Sequence, residues 1–219
     1  MNILDNLKRV NENIEKAAEK SGRDVSDIVM VAVTKSLNLD ELLQIEGLTH
    51  VGENKVQDLV AKQPHLDGLV WHFVGHLQRN KVGQVLGRAA LIHSLDSIRL
   101  AEEISRVATK QDLMADVLIE VNIANEPNKY GIIPEEVMEF ATKVIELPGI
   151  AIHGLMTMGP ADATPSQRRS NFEKMSELHR ELNSIAQARY LSMGMSSDYE
   201  LAIECGANIV RIGRGIFGK

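Results

Sequence analysis

The 219-residue chain carries 24 Lys and Arg against 30 Asp and Glu, a net charge of −6, and 44% of its residues are hydrophobic. That composition supports a sizeable packed core and excludes the basic footprint of a nucleic-acid binder. One cysteine, Cys205, excludes an internal disulfide, and no apolar run approaches the roughly 20 residues of a membrane helix, so a cytoplasmic protein without membrane or nucleic-acid partners is expected.

The opening Met1-Asn2-Ile3-Leu4-Asp5 has an early acid and no apolar h-region, unlike a signal peptide. Ile3, Leu7, Val10, Ile14 and Ala17 then fall on one helical stripe, with Gly22 as its stop. Strand-like segments follow at 29–33, 50–52, 71–75, 91–95, 117–123, 150–156, 190–193 and 208–212. Several are apolar runs without alternation, as expected for strands buried on both faces. Helices fit between them. Ser97 is placed to cap one, Pro134 opens another that Pro148-Gly149 ends, and Thr164-Pro165 opens the longest, with Phe172, Met175, Leu178, Leu182 and Ile185 at helical spacing. No linker or low-complexity stretch divides the chain, so residues 1–219 are expected to form a single domain. Eight strands in βα alternation predict an α/β fold, a single (β/α)8 TIM-type barrel with an extra N-terminal helix covering one end. A doubly wound open sheet is the alternative, because alternation alone does not show closure.

Polar residues and glycines collect just after the strands: Lys35, Glu53-Asn54, His76, Asp96, Asn122, Thr157, Ser196-Ser197 and Gly213-Arg214-Gly215. In a parallel barrel these positions ring the C-terminal mouth, where barrel enzymes build their sites. Lys35 reads either as a solvated lysine at a strand end or as an imine-forming one, since a dry mouth can make an amine nucleophilic. Strand spacing cannot tell a cofactor imine from a substrate imine. Gly213, Gly215 and Gly218 satisfy G-x-G-x-x-G, but with the chain ending at Lys219 a dinucleotide unit has no room. Two readings remain: plain turn glycines, or glycines that let backbone N–H groups approach a phosphate, with Ser196 and Ser197 adding hydroxyl donors. His72 and His76 would stand about 13 Å apart along a strand, too far for one metal ion, and read as core or surface histidines. Cys205 reads as a packing residue, and Arg168-Arg169 as a solvated pair.

The stretches Val31-Ala32-Val33-Thr34-Lys35, Gly52-Glu53-Asn54 with Gln57, Trp71 to Lys81, His93-Ser94-Leu95-Asp96, Val121-Asn122 with Glu126, Lys129 and Gly131, Gly154-Leu155-Met156, Leu191 to Asp198 and Arg211 to Gly218 occur in order along the chain. Over nearly its whole length the chain therefore resembles the YggS/PROSC family of pyridoxal-phosphate homeostasis proteins. His76 departs from that pattern, since many relatives have proline there. The resemblance implies a fold like the barrel domain of alanine racemase and pyridoxal 5′-phosphate (PLP) held as a Schiff base on Lys35. It implies phosphate contacts from Ser196, Ser197, Gly213 and Arg214, a contact from Asn54, and Arg211 facing the pyridine nitrogen. The family is associated with vitamin B6 and amino-acid balance and has no well-established reaction. The expectation is a cytoplasmic monomer that carries or regulates PLP, with apoenzymes as recipients and no metal. A PLP-dependent amino-acid racemase and an aldolase-type Schiff-base enzyme are the alternatives. Poor catalysis is expected, because an arginine beside the pyridine nitrogen disfavours its protonation and weakens the electron sink. In alanine racemase the opposite-face base comes from a second, C-terminal domain, for which a chain ending at Lys219 has no room. Lys129 reads as an exposed lysine or as a transient acceptor of the cofactor during transfer.

Overall fold

A computed structural model describes residues 2–160 and 162–218; the readings that touch Met1 and Lys219 lie outside the described residues. The strands are β1 (Val29–Val33), β2 (His50–Glu53), β3 (Val70–Phe73), β4 (Leu91–Leu95), β5 (Ala115–Glu120), β6 (Ile150–Met156), β7 (Tyr190–Ser192) and β8 (Ile209–Ile212). The helices are α1 (Ile3–Lys20), α2 (Leu39–Leu43), α3 (Val56–Lys62), α4 (Val82–Val85), α5 (Ile98–Gln111), α6 (Val137–Ile145), α7 (Pro165–Leu182), α8 (Tyr199–Glu204) and α9 (Arg214–Phe217). All neighbouring strands pair in parallel, and β8 returns to β1 from Val29↔Ile209 to Ala32↔Ile212, which closes the barrel. The open sheet is thereby excluded.

Two apolar layers hold the ring. The larger joins the helices to the outer faces of the strands; the smaller is the lumen cluster Val31, Leu91, Leu118, Met156 and Ile209. Strand side chains alternate, so a residue two places beyond a lumen residue returns to the lumen. That rule puts His93 beyond Leu91, Glu120 beyond Leu118 and Arg211 beyond Ile209, all of them buried. The interior is therefore partly polar, unlike the branched aliphatic layers usual in such barrels. At Gly154, φ is +144° and a Cβ would fall 1.8 Å from the Tyr190 carbonyl oxygen, so β6 and β7 approach there only because the side chain is a hydrogen.

Several boundaries differ from the sequence reading. Helix α1 buries Leu7, Val10, Ile14 and Ala17 but packs on α8 and α9, with Asn6 Nδ2 donating to Ile216 O at 2.9 Å. It stands in the helical ring rather than across an end. The apolar stripe of α1 joins the core that links the helices to the outer faces of the strands. Strand β5 stops at Glu120, and Val121 leaves it as an isolated bridge to Ile132. Ser97 sits at the N-cap of α5, but its hydroxyl bonds Asp96 Oδ1 rather than the helix backbone. Pro134 begins a 3-10 turn that precedes α6. Thr164 and Gln167 form a reciprocal capping box on α7, while Ile185 lies beyond that helix and is 42% exposed.

Candidate functional site

Strand ends set the mouth. β1 delivers Lys35 two residues beyond Val33, and β2 delivers Asn54 directly beyond Glu53. The β7–α8 loop brings Ser196 and Ser197; β8 and its turn bring Arg211, Gly213 and Arg214. All seven line one cavity of about 490 Å³, together with Val33, Val74, Met158 and Met195. Strand β8 pairs with β1 and β7, so the amine and the glycine turn are neighbours although they lie at opposite ends of the sequence.

The charge of this cavity is opposite to that of the protein. Lys35, Arg211 and Arg214 line it and, among the described residues, no carboxylate does. Lys35 and Arg214 are exposed and make no ion pair among the described residues. Arg211 forms the floor. Its Nη1 donates to Ser192 Oγ at 2.6 Å and its Nη2 to Thr157 O at 2.8 Å. Burial lowers its pKa to about 10, opposed by the charges of Glu120 and Asp198, so it stays cationic at neutral pH. Ser196 Oγ accepts the Gly215 N–H at 3.0 Å, which leaves its hydroxyl hydrogen as a donor. A Cβ at Gly213 would lie 3.3 Å from Val33 O, and one at Gly215 3.0 Å from Ile212 Cγ2 and 3.4 Å from Ser196 Oγ. These glycines hold the turn tight against β1 and the serine loop. Among the described residues, Asn54 Oδ1 is the one buried side-chain polar atom in the cavity lining without a hydrogen-bond partner. A small, phosphate-bearing, amine-reactive group fits this donor set.

Other residues at the mouth behave differently. Glu53 is turned away from the cavity and fully buried: its Oε1 accepts Thr34 Oγ1–H at 2.6 Å and Lys62 Nζ–H at 2.7 Å, while Lys62 also reaches Thr34 O at 3.0 Å. This clamp ties the residue before Lys35 to β2. Lys62 carried no motif, and its only signal is a lysine on the apolar stripe of α3 with Val56 and Leu59. His76 bonds Asp96 Oδ2 at 2.9 Å and stacks on Tyr130 with ring centroids 3.7 Å apart, at the edge of a wider cleft outside the cavity. Asn122 exchanges bonds with Glu126 and shapes the loop after β5; Lys129 in that loop pairs with Glu126 at 2.7 Å, outside the cavity lining. Arg168, read as solvated, instead donates to Ala163 O and approaches Ser197 Oγ and Asp198 Oδ2, each at 3.5 Å. It adds positive charge behind the serine loop. Cys205 is a half-buried free thiol packed against the core. Among the described residues, no group of three His, Cys, Asp or Glu could hold a metal ion, and no helix is long and apolar enough to cross a membrane.

The family model described as "Alanine racemase, N-terminal domain" matches residues 6–219. A relative from Aquifex aeolicus, named "Pyridoxal phosphate homeostasis protein", is 42% identical and covers 100% of this chain and 99% of its own. A solved structure of an unknown protein from Bifidobacterium adolescentis superposes with a TM-score of 0.91 at 34% identity, covering 98% of this chain and 94% of its own. PipY of Synechococcus elongatus, solved with PLP bound, superposes with a TM-score of 0.81 at 31% identity, covering 94% of this chain and 100% of its own.

Proposed function

The chain belongs to the family of pyridoxal phosphate homeostasis proteins, built on the alanine racemase N-terminal domain, and on that premise we propose that it binds PLP at the barrel mouth and carries or regulates it. One observation carries the assignment to this cavity: in a protein of net charge −6, its lining among the described residues joins three cations, three serine hydroxyls and a glycine turn without a carboxylate. When bound, PLP supplies an electrophilic aldehyde and an electron-withdrawing ring. Lys35 is the covalent anchor. Ser196, Ser197, Gly213 and Arg214 take the phosphate, Asn54 offers its unpartnered oxygen to a donor on the ligand, and Arg211 faces the ring nitrogen from the floor. A permanent cation at that place keeps a proton off the nitrogen, which suits storage better than carbanion chemistry.

The working unit in this reading is one undivided barrel domain, a cytoplasmic monomer without nucleic-acid or membrane partners, that hands PLP to apoenzymes. The net negative charge of the protein, set against the cationic lining of the mouth cavity, supports it. The test is to titrate the protein with PLP and with pyridoxal, then reduce the complex with borohydride and map the adduct by mass spectrometry. PLP binds far more tightly than pyridoxal, and the adduct falls on Lys35. Equal affinities, or an adduct chiefly on another lysine, would reject the site. Exchange of amino-acid α-protons in D₂O at ordinary enzymatic rates, dependent on Lys35, would replace the carrier with an enzyme.

A further inference from the structure

Three imidazoles from neighbouring strands cross the lumen in series. His50 Nδ1 lies 2.9 Å from His72 Nε2, His72 Nδ1 lies 2.9 Å from His93 Nε2, and His93 Nδ1 lies 3.0 Å from Ser192 Oγ. Ser192 Oγ is also the acceptor for Arg211 Nη1. We propose that this series is a one-way hydrogen-bond wire, Arg211 to Ser192 to His93 to His72 to His50, in which every ring is the neutral Nε2–H tautomer and His72 and His93 are positioning residues for the Arg211 guanidinium.

The direction follows from counting hydrogens. A guanidinium only donates, so Ser192 Oγ accepts from it. Ser192 is fully buried, and among the described residues the only other hydrogen-bond partner of its Oγ is His93 Nδ1. The hydroxyl hydrogen therefore goes to that nitrogen. His93 must then carry its hydrogen on Nε2 and donate to His72 Nδ1; His72 in turn donates through Nε2 to His50 Nδ1. The last hydrogen, on His50 Nε2, belongs to a half-buried ring in a cavity of about 260 Å³ at the N-terminal face, with Asp116, His153, Arg189 and Tyr190. The opposite direction would crowd two donors onto Ser192 and leave its own hydrogen without an acceptor in a dry interior.

An added proton on any ring forces that reversal between the ring and Ser192. The surroundings resist it as well. Burial and the His50 charge bring His72 down to about 3; burial, then the charges of His72 and Arg211, put His93 well below the ordinary histidine value; burial lowers His50. Glu120 and Arg211 are the charged groups facing the mouth end of the series. At the other end stand Asp116, His153 and Arg189.

A hydroxyl that donates onward is a stronger acceptor, because hydrogen bonds in series polarise one another. Arg211 is thus held by two neutral oxygens, Ser192 Oγ and Thr157 O, with no carboxylate hydrogen-bonded to it among the described residues. Its charge remains available at the cavity floor. That consequence rests on the PLP reading of the site; the direction of the wire does not.

Two arms separate them. Long-range ¹H–¹⁵N correlation of the histidine-labelled protein without cofactor reads the tautomers directly. All three rings show Nε2–H, and His72 and His93 stay unprotonated as pH falls past the ordinary value of about 6.5. A Nδ1–H tautomer at His93, or its protonation near that value, overturns the wire. In the second arm, Ser192→Ala weakens PLP binding about tenfold and shifts the visible absorption of the bound cofactor, while Ser192→Thr, which keeps the hydroxyl, restores both. Wild-type affinity and spectrum in Ser192→Ala overturn the positioning role. If the wild-type protein binds no PLP, the site reading and with it the positioning role fail, and the tautomers alone decide the wire.

Discussion

Ser196 and Ser197 are adjacent in sequence and unequal in space. Ser196 Oγ is fixed by the Gly215 N–H and its hydrogen has no acceptor among the described residues, whereas Ser197 is exposed, with Arg168 at 3.5 Å. Ser196→Ala is therefore expected to reduce PLP affinity by about 1–3 kcal/mol and Ser197→Ala by about 0.5–1.5 kcal/mol, measured by equilibrium titration. The reverse ranking would place the phosphate on the outer side of the loop. Lys129 is paired with Glu126 in an exposed loop outside the cavity, so Lys129→Ala is expected to leave equilibrium affinity unchanged. Slower transfer of PLP to an added apoenzyme would assign it the transient-acceptor role; an unchanged rate leaves an ordinary surface lysine.

Between elements, the clamp of Lys62, Glu53 and Thr34 connects α3, β2 and the end of β1. Burial raises the Glu53 pKa, opposed by its bonds to Lys62 and Thr34, and the cost of taking a buried pair out of water offsets much of its attraction. Lys62→Met alone strands a buried carboxylate and is expected to cost about 3–5 kcal/mol in urea unfolding, while Lys62→Met with Glu53→Leu recovers most of that loss. A double variant that recovers none of the loss would mean that the pair itself stabilises the fold beyond what apolar packing supplies, and additive losses would mean that the two residues act independently. This clamp also shows what the sequence left hidden. Apolar runs bounded by turn residues placed β1, β4 and β6 to the residue, and polar residues after strands identified the mouth. Helices α2 and α4, at five and four residues, are too short to show a period. The 117–123 run looked continuous because Val121 and Ile123 are buried outside the strand. Lys62, Arg168 and the histidine series depend on which strands and helices lie side by side, which no local pattern encodes.

At the scale of the whole molecule, the polar lumen ties stability to pH with two opposing signs. His50, His72 and His93 have folded pKa values below the unfolded value of about 6.5, so as pH falls the unfolded chain takes up protons that the fold refuses. Their contribution is complete above about 6.5 and is lost below it, until His72 titrates near 3. Glu120 acts oppositely: burial, then the Asp96 charge, raises it to about 7 against some lowering by Arg211, so the fold binds its proton more readily than the unfolded chain between about 4.5 and 7. The two effects partly cancel in that window. Below about 4.5 the histidines act unopposed, and stability is expected to fall by up to about 1.4 kcal/mol per pH unit for each ring still refusing a proton. Urea unfolding at stepped pH checks this, and His72→Gln should flatten the acid limb; a limb of unchanged slope would place its origin elsewhere. The pairing of β8 with β1 has a last consequence, for synthesis. Lys35 leaves the ribosome early, and the Ser196, Ser197, Arg211, Gly213 and Arg214 that line the same cavity emerge only with the final strands. On the proposed reading of the site, a nascent chain has the amine without the phosphate cradle and is expected not to retain PLP until the ring shuts. The yellow colour of the bound vitamer would then report completed folding.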